Sequence, residues 1–212
     1  MLYNLLFPFA DDVSIFNLFR YITLRTGAAT VTALFVSFLV GPAFIRWLKK
    51  KQAEGQPIRE DGPQSHLVTK KGTPTMGGVL ILFALGIATL LWADLTNQYV
   101  WAVLLVTLGF GAIGFIDDYQ KLTKRSSDGL PGRIKLILQI IIGGVATIWI
   151  TVISDPDLSQ GLAIPFVKDF LVPLGWFFLP WAIIVMVGAS NAVNLTDGLD
   201  GLAIMPALIA AA

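Results

Sequence analysis

The sequence predicts an all-α fold, a polytopic transmembrane helix bundle with five complete helices, the start of a sixth, and a periplasmic N-terminus. Three observations carry that expectation. The 212 residues are 55% hydrophobic and only 14% charged, whereas an ordinary soluble domain is about one-quarter charged. Mean hydropathy is +0.73. The apolar residues gather into runs of membrane-spanning length, and most of the basic residues fall in alternate connections between them. There is no cysteine, which excludes a disulfide framework and cysteine-ligated metal. A net charge of +1 argues neither for nor against a nucleic-acid partner, so the placement of charge carries the information, and that placement gives no nucleic-acid reading.

The first residues, MLYNLLFPFADD, lack a basic n-region and are interrupted by Pro8 and Asp11. They read as a short interfacial segment rather than a signal peptide. Apolar runs follow near residues 26–48, 77–95, 99–116, 134–153 and 170–189. A membrane crossing takes roughly 17–25 helical residues, which each run supplies. A sixth run starts at Leu202 and continues for 11 residues to Ala212. At helical rise that covers about 16 Å, roughly half the hydrocarbon core. The chain therefore reads as one membrane domain over residues 1–212, the front part of a longer protein.

Orientation follows from the connections. Residues 46–71 and 121–135 together hold twelve of the fifteen Lys and Arg, whereas residues 94–98 and 154–175 hold only Lys168 among several aspartates. The positive-inside rule places the two basic stretches in the cytoplasm and the N-terminus outside. By the count of crossings, residues 191–201 also fall on the cytoplasmic side, so three connections share one membrane face.

The first of these carries DGPQSHLVTKKGTPTMGG, whose prolines and glycines exclude a regular helix until after Met76. Thr75 is placed to cap the second membrane helix. Lys70 and Lys71 stand close to that helix start, where backbone N–H groups and the dipole already favour anions. Contact with lipid headgroups is the plainer reading, but a simple polybasic tail has no need of so many turn-setting residues. His66, the only histidine, lacks the partners a metal site needs and reads as solvated.

The third run exits through GFIDDYQK, with Asp117 and Asp118 adjacent. Neighbouring carboxylates repel unless a cation or a shared proton offsets the charge. A solvated helix end is a weak explanation, because a helix C-terminus and an anionic leaflet both disfavour acids. Hard carboxylate oxygens at a membrane boundary suit Mg²⁺, which takes one or two carboxylates together with substrate phosphates and waters. Alternatively one carboxylate binds metal and the other moves a proton. Lys121 falls on the same helical face; it either clamps a phosphate or neutralises the pair. Lys135 opens the fourth helix, and the other basic residues around SSDGLPG read as ordinary positive-inside charges.

The third connection, NAVNLTDGLDGLA, packs Asn191, Asn194, Thr196, Asp197, Gly198, Asp200 and Gly201 between two apolar runs. Carboxylates for a divalent cation, lysines for phosphate and a Gly-rich loop on one face are the parts phosphoryl transfer requires. The membrane setting makes one reactant a lipid that presents its head at the interface.

These three motifs resemble those of the bacterial phospho-N-acetylmuramoyl-pentapeptide-transferases, within the polyprenyl-phosphate N-acetylhexosamine-1-phosphate transferase superfamily. The resemblance extends over nearly the whole chain. It implies a Mg²⁺-dependent enzyme of the bacterial inner membrane, with ten helices, a cytoplasmic active site and a homodimeric assembly. The implied reaction moves phospho-MurNAc-pentapeptide from UDP-MurNAc-pentapeptide to undecaprenyl phosphate, forming lipid I and UMP for peptidoglycan synthesis. By motif matching, Asp117, Asp118 and Asp197 take catalytic positions, with Asp117 and Asp118 at the metal. Lys70, Thr75, Lys121, Lys135, Asn194 and Asp200 face substrate, and Gly198, Leu199 and Asp200 match the part that cups uracil. Asp117 is either a base toward the lipid phosphate or a purely electrostatic partner. A phosphate monoester is already largely ionised near neutral pH, its second pKa being about 6, which makes the base the less necessary role.

The family's third essential aspartate and its histidine-rich loop belong to a C-terminal half outside these 212 residues, so the chain alone is expected to be inactive. Two other readings compete: a transferase of GlcNAc-1-phosphate onto the same lipid, and a cation transporter using the boundary aspartates. The long KKGTPTMGG stretch favours the muramoyl-pentapeptide branch. The absence of mid-membrane carboxylates disfavours transport.

Overall fold

The computed structural model describes residues 1–52, 55, 73–125, 129–156, 159–164, 167, 170–196 and 202–211. They are overwhelmingly helical and form two compact units, Met1–Lys135 and Leu136–Ala212.

In the first unit, α1 (Leu2–Leu6) and two 3-10 turns (Phe7–Phe9 and Ser14–Arg20) make the short N-terminal segment. It is tied down rather than loose. The Met1 ammonium donates to the carbonyls of Leu90 (2.8 Å) and Ala93 (3.0 Å). The Asn4 amide donates to Asp94 Oδ1 at 2.8 Å and accepts from the Leu95 N–H. Next, α2 (Ile22–Lys51) runs for 30 residues, about 45 Å at helical rise. Lys49, Lys50 and Lys51 end it, where cations complement the helix dipole.

The second apolar run gives α3 (Gly78–Trp92), only 15 residues long. That is about 22 Å, short of a hydrocarbon core of roughly 30 Å. The run expected to reach residue 95 stops early because Asp94 Oδ1 accepts from the Thr96 N–H and hydroxyl, which turns the chain. Among the described residues, four helices rather than five are therefore long and apolar enough to cross a membrane by themselves. After the turn, Asn97 caps α4 (Gln98–Lys124) by accepting from the Tyr99 N–H at 2.9 Å. This helix continues past the apolar run and ends at Arg125, whose φ of 49° is left-handed.

Helix α2 packs most extensively on α3, and α3 packs on α4. The contacts use small residues: Ala84, Ala88 and Ala102 are buried, whereas Phe38, Leu39 and Ile81 face outward. That is the pattern expected where lipid, not water, surrounds the bundle and close backbone approach drives packing. Gly111 of α4 receives the Leu82 side chain of α3, and any Cβ there would overlap it. Trp92 Nε1 donates to Thr32 Oγ1 at 2.9 Å, which satisfies the one polar atom of that side chain.

The second unit holds most of α5 (Gly132–Ile153), a hairpin, α6 (Phe178–Thr196) and α7 (Ile204–Ala211). The hairpin pairs β1 (Gly161–Ala163) antiparallel with β2 (Leu171–Pro173), Leu162 standing opposite Val172. The fifth run was expected to start its helix near residue 170. Pairing of residues 171–173 into the hairpin and the left-handed Gly175 (φ 54°) delay the α-helix to Phe178. The helix then runs seven residues beyond 189, so Asn191 to Thr196 is helical rather than loop. Gly143 and Gly144 of α5 lie against Met186 and Ile183 of α6.

Candidate functional site

The site is set by α4 outlasting its apolar stretch. Because the helix is regular through Lys124, Asp117, Asp118 and Lys121 lie at i, i+1 and i+4, and the lysine faces both acids. Lys121 Nζ donates to Asp117 Oδ2 at 2.6 Å and lies 3.7 Å from Asp118 Oδ1. The Asp117 side chain is 14% exposed; those of Asp118 and Lys121 are 33% exposed. The second oxygen of Asp117 accepts from the Leu130 backbone N–H at 2.8 Å. Gly129 permits that approach: a Cβ there would run into the Asp117 carboxylate and Lys121 Cε. Lys135, four residues into α5, also acts on Asp117 through its charge.

Asp118 is held from the opposite side. The Thr75 hydroxyl donates to Asp118 Oδ2 at 2.8 Å. Thr75 is itself braced, its N–H donating to Gln52 Oε1 at 2.9 Å and its carbonyl accepting from Gln52 Nε2 at 3.3 Å. The expected helix cap is therefore corrected. Helix α3 starts at Gly78 with Gly77 as its N-cap and no side-chain cap, because Met76 has a φ of 71° and turns the chain so that Thr75 points at the aspartate.

Of the residues singled out in the sequence, Thr75, Asp117, Asp118 and Lys121 thus form one bonded cluster. Lys121 is paired with both acids in this structure. Asn194 lies exposed on α6 in the second unit. Lys70, Asp197, Gly198, Leu199 and Asp200 lie outside the described residues, as does His66.

Gln52, Gly129 and Leu130 carried no signal in the sequence: the Gln52 amide binds the Thr75 backbone, and the Gly129–Leu130 backbone meets Asp117, contacts that no side-chain pattern announces. A polar relay in the second unit was also missed. Gln139 of α5 is 2% exposed; its Oε1 accepts from Asn191 Nδ2 at 2.7 Å, and its Nε2 donates to Ser190 Oγ at 3.5 Å. Asn191 Nδ2 also donates to the Val187 carbonyl at 2.9 Å. A lone glutamine inside an apolar run was the available signal, since a buried amide needs a partner.

Among the described residues no group of three or more His, Cys, Asp or Glu comes together. Two adjacent carboxylates, one of them a third exposed, nevertheless fit Mg²⁺. That ion takes few protein ligands and completes its octahedron with water and phosphate.

Residues 70–82, which include Thr75, match the phospho-N-acetylmuramoyl-pentapeptide-transferase signature 1. Over 211 residues the chain is 66% identical to the phospho-N-acetylmuramoyl-pentapeptide-transferase of Granulibacter bethesdensis, covering 100% of this chain and 58% of that protein. The protein of the same name from Maricaulis maris is 52% identical over 217 residues, covering 100% of this chain and 59% of that protein. The chain thus spans somewhat under three-fifths of these relatives, and the resemblance carried by the three motifs is borne out. Residues 100–212, which include both aspartates, match the model of glycosyl transferase family 4. With more than half its length matched, the chain belongs to glycosyl transferase family 4.

Proposed function

We propose that this chain is the front part of a phospho-N-acetylmuramoyl-pentapeptide transferase working at the cytoplasmic face of the bacterial inner membrane. A phosphate oxygen of undecaprenyl phosphate attacks the sugar-bearing phosphorus of UDP-MurNAc-pentapeptide. The bond to the UMP oxygen breaks, UMP leaves, and lipid I remains in the bilayer. The observation that carries this reading is the bonded cluster of Thr75, Asp117, Asp118 and Lys121. Phosphoryl transfer rests on positioning and charge neutralisation, and the cluster supplies opposite charges at fixed separation.

Asp117 and Asp118 would hold Mg²⁺, which supplies charge neutralisation on the phosphates when bound. Lys121, beside both acids in this cluster, would bring its charge to substrate phosphate at the same place. Lys70 and Lys135 add positive charge toward the same anion. The Thr75 hydroxyl fixes the Asp118 rotamer and keeps one oxygen engaged, so that the other is presented outward. Asp117, with both oxygens already accepting hydrogen bonds, acts electrostatically and needs no proton transfer. Asn194, Asp197, Gly198, Leu199 and Asp200 form the nucleotide-facing part, the glycine allowing close backbone approach. The working unit is a homodimer of the longer protein, and the 212-residue chain alone is inactive.

The test is transfer of labelled sugar phosphate by the full-length protein to undecaprenyl phosphate. Conversion of UDP-MurNAc-pentapeptide with release of UMP supports the reading. Preference for UDP-GlcNAc would move the protein to the GlcNAc-1-phosphate branch, and lipid I synthesis by the isolated chain would remove the inactivity.

A further inference from the structure

We infer that the first unit carries a separate binding groove for an anionic phospholipid of the leaflet on which the basic connections lie. Between the C-terminal ends of α2 and α4 is a groove of about 790 Å³, within the range of small-ligand sites. Its walls are aromatic. On α2, Phe44 and Trp47 stack with ring centroids 5.9 Å apart, and on α4, Phe115 and Tyr119 stack at 6.2 Å. Leu48 and Leu122 complete the apolar lining. Trp47 and Tyr119 remain more than half exposed, as suits amphipathic rings at headgroup level.

Charge decides the occupant. Lys51, the last residue of α2, and Arg125, just past α4, both line this groove. The groove therefore joins apolar walls to a cationic rim at a membrane boundary. A zwitterionic lipid would bring its own cation toward Lys51. A phospholipid with net negative charge meets both halves of the groove, chain to aromatic wall and phosphate to cation. The groove is distinct from the aspartate cluster, although Gln52 belongs to its lining and braces Thr75. Binding here goes beyond the proposed reaction and does not depend on it.

The test uses the purified chain in detergent micelles, titrated with equal amounts of phosphatidylglycerol and phosphatidylcholine bearing identical acyl chains. Retained lipid is read by native mass spectrometry. Phosphatidylglycerol is expected to be retained in preference by roughly fivefold, the order for one Lys or Arg at an anionic surface. Lys51→Gln should lower the preference, Arg125 still standing at the rim, and Lys49→Gln, at the same helix end but outside the groove, should keep it in full. Val79→Trp, which fills the groove from α3, should lower retention of both lipids. Equal retention of the two lipids, or equal effects of Lys51→Gln and Lys49→Gln, would overturn the assignment. Displacement of phosphatidylglycerol by an equimolar polyprenyl phosphate would overturn it too, by giving the groove to the substrate carrier.

Discussion

Gly129→Ala is the most revealing single change, because it touches no charged residue and yet strikes the cluster. An added Cβ would overlap the Asp117 carboxylate and Lys121 Cε. Either the carboxylate turns away or the Gly129–Leu130 backbone withdraws, and both movements break the 2.8 Å bond from the Leu130 N–H. A hydrogen bond to a charged group contributes about 1.5–3 kcal/mol. Little of this is recovered from water, since the Asp117 side chain is only 14% exposed. Thermal unfolding of the chain in micelles should fall by roughly 3–12 °C, at about 2–4 °C per kcal/mol for a chain of this size. In the full-length protein, transfer should drop about tenfold or more, each 1.4 kcal/mol being one decade. Gly132→Ala is the control, because its added Cβ meets nothing within 4 Å. Equal stability and activity for the two variants would refute the idea that Gly129 makes room for the carboxylate.

Other expectations follow from the same geometry. Thr75→Val keeps the backbone bonds to Gln52 but removes the donor to Asp118; transfer by the full-length protein should fall about tenfold with little change in unfolding temperature, and Thr75→Ser should restore it. In the second unit, Asn191→Leu strands the buried Gln139 amide and should cost about 1–3 kcal/mol in denaturant titration, whereas Asn191→Leu with Gln139→Leu should recover most of the loss. Hydrogen bonds from Asn4, then Thr96, hold the Asp94 carboxyl below its usual range. Its depressed folded-state pKa gives stabilisation that is fully present above the unfolded value and is lost as pH falls through the folded value. Asn4→Ala should therefore flatten the acid limb of unfolding temperature against pH.

How much of this was readable in the sequence depended on the range of each interaction. Asp117, Asp118 and Lys121 were legible because a helix brings i, i+3 and i+4 together whatever surrounds it. Thr75 was misread as a cap because its partner is 43 residues away and the left-handed Met76 that aims it leaves no composition signal. The membrane runs were legible from hydropathy, but their ends were not. The Asp94–Thr96 turn shortened α3, and backbone pairing at residues 171–173 delayed α6, both polar events inside apolar stretches. Helical Asn191 joins Gln139 across α5 and α6, a contact that follows from packing and from no motif.

The most direct test of the central claim is transfer of labelled phospho-MurNAc-pentapeptide to undecaprenyl phosphate by the full-length protein carrying Asp118→Asn, measured beside Asp118→Glu. Loss of one carboxylate charge should lower transfer about a hundredfold or more, several kcal/mol of electrostatic stabilisation, while the amide variant remains folded. Transfer within a few-fold of the unmutated protein would contradict it, because the aspartate pair would then not be the place where the phosphates react.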